Sequence, residues 1–313
     1  MRCITGLLLM LGLSACAPLP SAGIDWFENT AAMQRDGLLR QVRDPADASV
    51  SADILARNFL LTTLNPEMDP FGQGLTRDVS NRRFLRKWTK PIAYRLIVSN
   101  DEDRARISGR IERFMKRLSI LTGVEIFEVP DDADADTDAD ANADAGADEP
   151  TANMLISYGP DLFYQALVSP DLARMTSLGQ GPNAGLAWYQ ETVRSWRTAP
   201  SPCAGAMAYS TGEEGLPQKG AIGLVVVLLR KEVPDVLLDS CIEEEIAQSM
   251  GPLGDDERLR PSLFNDGSEF AVLTKHDEAI LRILYDDRLR PGMTEAEVAP
   301  LVRKIISEQR LAD

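Results

Sequence analysis

The sequence predicts an α+β fold with a helical C-terminus, and three patterns support this class. Apolar residues recur every three or four positions between Arg104 and Leu121, which indicates an amphipathic helix with one buried face. Strand-like apolar runs lie on both sides of this helix, at residues 92–98, 124–129, 154–158 and 221–229. Every fourth residue is apolar from Leu238 to Met250, so a second buried helix follows the strands.

The N-terminus has the features of an export signal. Arg2 precedes an apolar run that is far shorter than the roughly 20 residues of a membrane-spanning helix. The run ends in Leu13-Ser14-Ala15-Cys16, which resembles the lipobox of bacterial lipoproteins, where the cysteine is acylated and becomes the first mature residue. This resemblance implies a signal peptide at residues 1–15 and a membrane anchor of acyl chains such as palmitate on Cys16. Ala17 favours the outer membrane, with the protein facing the periplasm.

The following segments are predicted to lead from the membrane into a folded domain. Residues 16–50 are mixed in composition and contain three prolines, so we interpret them as a lipidated tether. Ser51 is a suitable cap for a helix whose apolar residues follow at helical spacing. Gly123 is placed to end the amphipathic helix that starts near Arg104.

The most acidic segment of the chain is 131–149, in which nine residues are acidic and none is basic. It has no apolar content that could form a core, so we expect a disordered surface insertion. Calcium binding is the alternative, although the segment lacks the ordered glycine and glutamate of an EF-hand loop. The formal net charge of −15 argues against a nucleic-acid partner, because binding to phosphates needs clustered lysine and arginine.

Cysteine use agrees with export. Once Cys3 has left with the signal and Cys16 carries lipid, Cys203 and Cys241 are the two remaining thiols in an oxidising compartment. We therefore expect them to form a disulfide. The alternative is a reactive thiol, for which the sequence offers no nearby basic partner or histidine. Cys203 falls within residues 200–220, which are predicted to form a loop.

The candidate catalytic and metal-binding side chains are concentrated on the helix that ends at Gly251. Glu244 and Gln248 share one face of this helix, and Glu245 lies between them in sequence. The order resembles the zincin signature H-E-x-x-H-x-x-G-x-x-H. Glu244 and Gln248 occupy its two histidine places, Glu245 its glutamate place and Gly251 its glycine place.

The third-ligand place of the zincin signature falls on Gly254, with Asp255 beside it. The resemblance implies a fold in which a twisted mixed sheet with a backing helix supports a central active-site helix, which here lacks its zinc ligands. On this basis residues 51–310 form a zincin-like domain that contains the acidic insertion.

Three segments resemble still more closely an uncharacterised family of bacterial lipoproteins, domain of unknown function 2927. They are Cys241 to Gly251, Pro261 to Asp266, and Leu284-Tyr285 to Gly292-Met293. The resemblance covers roughly Trp88 to Leu301. It implies membership of a family without an established activity.

The chain departs from the zincin pattern in its metal ligands. Zinc in a hydrolase is held largely by neutral imidazoles. The single histidine, His276, lies outside the helix, between Thr274 and Asp277, which are predicted to cap the next helix. We therefore expect His276 to be exposed, and we expect neither zinc proteolysis nor a serine or cysteine triad.

Oxygen ligands remain for a metal site. Glu244, Gln248, Asp255 and Asp256 would form a weak site that suits calcium or magnesium better than zinc. No cofactor is expected to be required.

These features favour a membrane-anchored lipoprotein whose zincin-like domain is a non-catalytic scaffold for peptides or proteins of the cell envelope. A cleft of this kind offers an edge strand to which a peptide can add. The alternative is a hydrolase with a carboxylate site of Glu244, Glu245, Gln248 and Asp255, in which Glu245 acts as acid or base. A third possibility is a structural lipoprotein without a ligand. The expected partners are the membrane, through the anchor, and a peptide or protein.

Overall fold

The computed structural model describes residues 24–64, 83–129, 152–159, 201–210, 212 and 218–312. The helices in these ranges are α1 (Trp26–Arg35), α2 (Ala52–Leu64), α3 (Asp101–Thr122), α4 (Asp235–Gln248), α5 (Lys275–Leu284) and α6 (Glu295–Gln309). The strands are β1 (Ile92–Ile97), β2 (Ile126–Glu128), β3 (Met154–Tyr158), β4 (Cys203–Tyr209) and β5 (Ile222–Leu229). The signal peptide, Cys16 and the acidic insertion 131–149 lie outside the described residues.

The five strands form one sheet in the order β2-β1-β3-β5-β4. The first four of these are parallel to their neighbours, and β4 pairs antiparallel with β5 at one edge. Parallel neighbours need crossover connections, and α3 supplies the one between β1 and β2. The mixed α/β architecture with a helix-backed sheet is therefore confirmed.

The prediction of a loop at 200–220 is wrong at β4. Its sequence, CAGAMAY, consists mainly of small residues and lacks the alternation of β-branched and polar residues that marks a strand. Pairing with β5 accounts for the strand, because Cys203 to Tyr209 pairs with Leu229 to Ile222 along its length. The backbone ladder, rather than side-chain propensity, specifies this strand.

Helix α3 backs the sheet as its periodicity predicts. Its apolar residues are buried in the main core, at Ile107, Ile111, Phe114, Leu118 and Leu121. The Asn100 side chain accepts a hydrogen bond from the Asp103 N–H at the start of the helix. Gly123 ends the helix in the left-handed conformation, with φ at 73°, and its N–H donates to the Ser119 carbonyl.

A second core joins the two ends of the domain. Helix α2, near the N-terminus, packs its Leu55 and Phe59 against α5 and against Val302 and Ile305 of the C-terminal α6. All four side chains are fully buried. The predicted helical C-terminus is thus confirmed, and α5 and α6 complete the hydrophobic surface that α2 presents.

Residues 24–50 of the predicted tether belong to the folded domain. Trp26 of α1 is buried in the main core, together with Leu39. The next residue, Arg40, pairs with the strand-like segment at Phe270, and the Arg40 N–H donates to the Glu269 carbonyl at 2.9 Å. Prolines and mixed composition suggested a tether, but aromatic burial and backbone pairing hold residues 24–50 on the domain. In the part of the chain that the structure describes, no helix is both long and apolar enough to cross a bilayer.

Candidate functional site

Helix α4 is oriented by the apolar stripe that the sequence predicts. Leu238, Ile242, Ile246 and Met250 are all at most 2% exposed. The stripe fixes the roll of the helix, so the three consecutive glutamates at 243–245 emerge on its other side, where each is partly buried. Successive residues of a helix diverge by about 100°, and the three carboxyl groups therefore reach different surroundings.

Glu243 is a structural clamp. Its carboxylate accepts hydrogen bonds from Arg43 Nη2 at 2.8 Å and from the Leu273 N–H at 2.7 Å, and Arg117 Nη1 lies 3.5 Å away. Because these donors come from the N-terminal segment, from the chain before α5 and from α3, Glu243 ties three parts of the domain to α4.

Glu244 and Glu245 form a carboxyl cluster with Asp255. Burial raises the pKa of Glu245 to about 8, with a further contribution from the nearby negative charge of Asp255. Burial also raises the pKa of Glu244 well above its usual range, and Asp255 and Glu245 raise it further. Among the described residues, neither glutamate carboxyl has a hydrogen-bond or ion-pair partner. The cluster therefore favours protonated carboxyl groups near neutral pH.

The chain reversal after α4 brings Asp255 back to the helix. Gly251 makes the reversal with φ at 128°, and the Gly254 N–H donates to the Thr62 carbonyl of α2 at 2.9 Å. Gln248 Nε2 then donates to Asp255 Oδ1 at 2.7 Å. The structure thus brings together four residues that the sequence singled out, Glu244, Glu245, Gln248 and Asp255.

Asp256 does not join this cluster. Its carboxylate accepts hydrogen bonds from the backbone N–H of Arg258 at 2.8 Å and from the Arg258 guanidinium, which lowers the pKa of Asp256. In the described ranges, no three His, Cys, Asp or Glu side chains are grouped as a metal ion would require.

Strand β4 runs directly beside the carboxyl cluster. A Cβ atom at Gly205 would lie 2.6 Å from Glu245 Oε2, so a larger residue at this position would displace the Glu245 carboxyl group. The Cys203–Cys241 disulfide joins β4 to α4 with a Cα–Cα distance of 5.8 Å, which confirms the predicted pairing. The edge strand β4 and helix α4 are therefore fixed to each other.

The prediction of an exposed His276 is wrong. His276 is 4% exposed, and its Nε2 lies 3.1 Å from Asn58 Nδ2 of α2. The Asn58 amide group thus contacts the imidazole through its Nδ2 atom. The burial depends on a helix more than two hundred residues earlier in the chain, which the local sequence around His276 does not reveal.

Asp277, the residue next to His276, organises the chain at the start of α5. Asp277 is fully buried and accepts hydrogen bonds from Ser262 Oγ at 2.5 Å, from the Leu263 N–H at 2.9 Å and from the N–H and hydroxyl of Thr274 at 2.9 Å. The predicted capping box of Thr274 and Asp277 is confirmed. Ser262 and Leu263 belong to the segment Pro261 to Asp266 that the sequence singled out, and through Asp277 they bind the start of α5.

Loss of the disulfide is expected to destabilise the domain. The double variant Cys203→Ser/Cys241→Ser opens a loop of 38 residues and should lower the free energy of unfolding by up to about 4 kcal/mol. Urea denaturation with and without reductant measures this loss. Reductant should lower the stability of the native protein to that of the double variant and should leave the variant unchanged. Equal stability of the native protein and the variant without reductant would contradict a stabilising bridge.

A family model described as Protein of unknown function (DUF2927) matches residues 52–304. The matched range begins with the first residue of α2 and ends within α6, so it contains β4, α4 and the loop of Asp255. No curated protein and no solved structure matches the chain.

Proposed function

The chain belongs to the family described as Protein of unknown function (DUF2927), and we propose that it is a membrane-anchored lipoprotein that binds extended peptides in the cell envelope without cleaving them. The anchor is the acylated Cys16, and the binding domain is a zincin-like scaffold that has lost its zinc ligands. One observation carries the proposal: an antiparallel edge strand is fixed directly beside the carboxyl cluster of α4.

Strand β4 has the properties of a strand that accepts another. Among the described residues it pairs with β5 alone. An edge strand has one row of backbone N–H and C=O groups directed away from the sheet, and an extended peptide can pair with them. The side chains of Ala204, Gly205, Ala206 and Ala208 are small, which leaves the backbone of β4 accessible to such a peptide.

The carboxyl cluster supports binding better than catalysis. Glu245 occupies the glutamate place of the zincin signature, where a general base would act on a metal-bound water. With its pKa raised to about 8, this carboxyl is largely protonated at neutral pH and is a poor base. Protonated carboxyl groups and the Gln248 amide can still donate and accept hydrogen bonds, which suits contact with a peptide side chain.

A hydrolase is the second candidate, and the same raised pKa is the observation that favours it. A carboxyl group that keeps its proton at neutral pH can act as a general acid. The two candidates differ at Glu245→Gln, which keeps the shape and removes the ionisable proton. Peptide binding should survive this change, whereas hydrolysis that depends on Glu245 should fall by at least about 100-fold.

Strand addition can be tested with N-methylated peptides. The probe is a set of random decapeptides, and the tightest binder is resynthesised with N-methyl groups on alternate amides in either of the two registers. Because a peptide in a strand pairs through every second N–H, one register should lose binding and the other should keep it. Equal effects of the two registers, or cleavage of the bound peptide by the native protein, would contradict the proposal.

The raised pKa of Glu245 predicts a pH dependence of stability. In the unfolded chain this carboxyl loses its proton near pH 4.5, whereas in the folded protein it keeps the proton to about pH 8. The folded state binds more protons in this window, so stability should fall as the pH rises from about 4.5 to 8.

We expect Glu245→Gln to remove at least about 1 kcal/mol of this loss, and therefore to be more stable than the native protein at pH 8 and equally stable at pH 4. Urea denaturation at a series of pH values measures the effect. Glu257→Gln is the matched control, because Glu257 is exposed and its replacement should leave the pH profile unchanged. A native profile that is flat between pH 5 and 8 would show that Glu245 is not buried as a neutral group.

A further inference from the structure

A basic groove lies between α3 and α5. It is lined by Arg113, Lys116, Arg117, Ile120 and Leu121 of α3 and by Glu278 and Arg282 of α5, and its volume is about 320 Å³. Arg113, Lys116 and Ile120 are spaced by three and four residues, so they share one face of the helix. We call this surface the α3–α5 groove.

Among the cations of the groove, Arg117 is neutralised by an ion pair with Glu278, which lines the same groove. In contrast, Arg113, Lys116 and Arg282 have no ion pair or hydrogen bond among the described residues. Their positive charge is thus available to a partner.

An aliphatic side chain projects from the middle of these charges. Ile120 is 77% exposed and is the most exposed of the large apolar side chains that the structure describes. Exposed aliphatic residues surrounded by lysine and arginine are typical of surfaces that lie on a bilayer, where the apolar group enters the headgroup region and the cations bind anionic lipids.

We propose that the α3–α5 groove docks the domain on the anionic headgroups of the membrane that holds the anchor. The inference rests on the proposed acylation of Cys16. The folded domain begins at Ile24, and eight residues of extended chain reach at most about 29 Å. The chain reaches the groove at Arg43, which shares the Glu243 carboxylate with Arg117. The short tether would keep the domain, and with it this basic surface, close to the lipid.

Docking in this orientation leaves the proposed peptide site open. Helix α3 connects β1 to β2, and β2 is one edge of the sheet. Strand β4 is the other edge, three strands beyond β1. The backbone groups of β4 that a peptide would bind therefore lie at the sheet edge opposite to β2. A soluble acidic protein could also bind the three cations, and it is an outcome that the experiment separates.

The experiment places an environment-sensitive fluorophore at Ile120→Cys in the acylated mature chain. Cys203 and Cys241 are joined in a disulfide, so the introduced thiol is the one that reacts. The protein is reconstituted in vesicles of phosphatidylethanolamine with phosphatidylglycerol, or in vesicles of phosphatidylcholine. We expect a blue-shifted emission and protection from an aqueous quencher in the anionic vesicles alone. A label at Ala208→Cys, on the exposed part of β4, should show neither.

Neutralising the groove provides the control. The triple change Arg113→Gln, Lys116→Gln and Arg282→Gln should lower the ratio of docked to undocked protein about 100-fold and restore quenching. Equal emission at position 120 in the two kinds of vesicle would overturn the proposal. A blue shift that appears only when an acidic protein is added would also overturn it. The intact mass of the same sample reports acylation separately. If the acyl chains are absent, flotation of the unlabelled protein with anionic vesicles still tests whether the groove binds lipid. Failure of the protein to float with these vesicles would overturn the proposal.

Discussion

Gly251→Ala is expected to abolish stable folding. Gly251 has a φ of 128°, which side-chain-bearing residues rarely adopt, and a Cβ atom there would lie 2.2 Å from the Arg86 carbonyl oxygen. The Arg86 backbone cannot move away easily. Its side chain is 1% exposed, and its guanidinium packs on the rings of Phe84 and Tyr209 at 4.5 and 4.4 Å from their centroids. We expect a loss of at least about 4 kcal/mol, which is a large fraction of the stability of a typical domain.

Gly123→Ala separates the collision from the backbone strain. Gly123 also has a positive φ, 73°, but a Cβ atom there would meet nothing within 4 Å. This variant should lose only the roughly 1–2 kcal/mol of a left-handed residue and should remain folded. Thermal and urea denaturation of the two variants measure the difference. A Gly251→Ala protein as stable as Gly123→Ala would show that the approach of Gly251 to Arg86 is not tight.

The second large effect is expected at Asp277. Replacing it by alanine removes the acceptor of four hydrogen bonds in a fully buried position and leaves the hydroxyl of Ser262 and the N–H groups of Leu263 and Thr274 without it. Each buried donor that loses its partner costs about 1–3 kcal/mol, so we expect a total of about 4 kcal/mol. The effect should be a lower free energy of unfolding in urea, with little change in the slope of the transition.

Helix α6 offers a matched control for this variant. Glu297 forms the same capping box with Thr294, but at an exposed position. Glu297→Ala should therefore cost about 1 kcal/mol, because water replaces the lost acceptor. Similar losses for Asp277→Ala and Glu297→Ala would contradict a structural role for burial at Asp277.

The parts of the fold that the sequence predicts are those in which burial is periodic along one element. Helices α3 and α4 have apolar residues every three or four positions, and their bounds and buried faces follow from that spacing. The candidate cluster of Glu244, Glu245, Gln248 and Asp255 could be anticipated for the same reason, since the roll of α4 and the turn at Gly251 determine it.

The features that the sequence could not supply depend on distant partners. Strand β4 is specified by its pairing with β5, and His276 is buried because Asn58 of α2 lies against it. Trp26 is likewise buried by residues of the main core that are distant in the chain, and not by its sequence neighbours. Asp256 looked equivalent to Asp255, and only the position of the Arg258 side chain separates the two.

The packing of α2 against α6 sets the order of events during synthesis. Asp53 and Arg303, which form an ion pair across this contact, are 250 residues apart in the chain. The second core can therefore close only after α6 has left the ribosome. Until that moment Leu55 and Phe59 are exposed to water, and the unfinished chain needs protection from aggregation. Synthesis of α6 is thus the step that allows this second core to form.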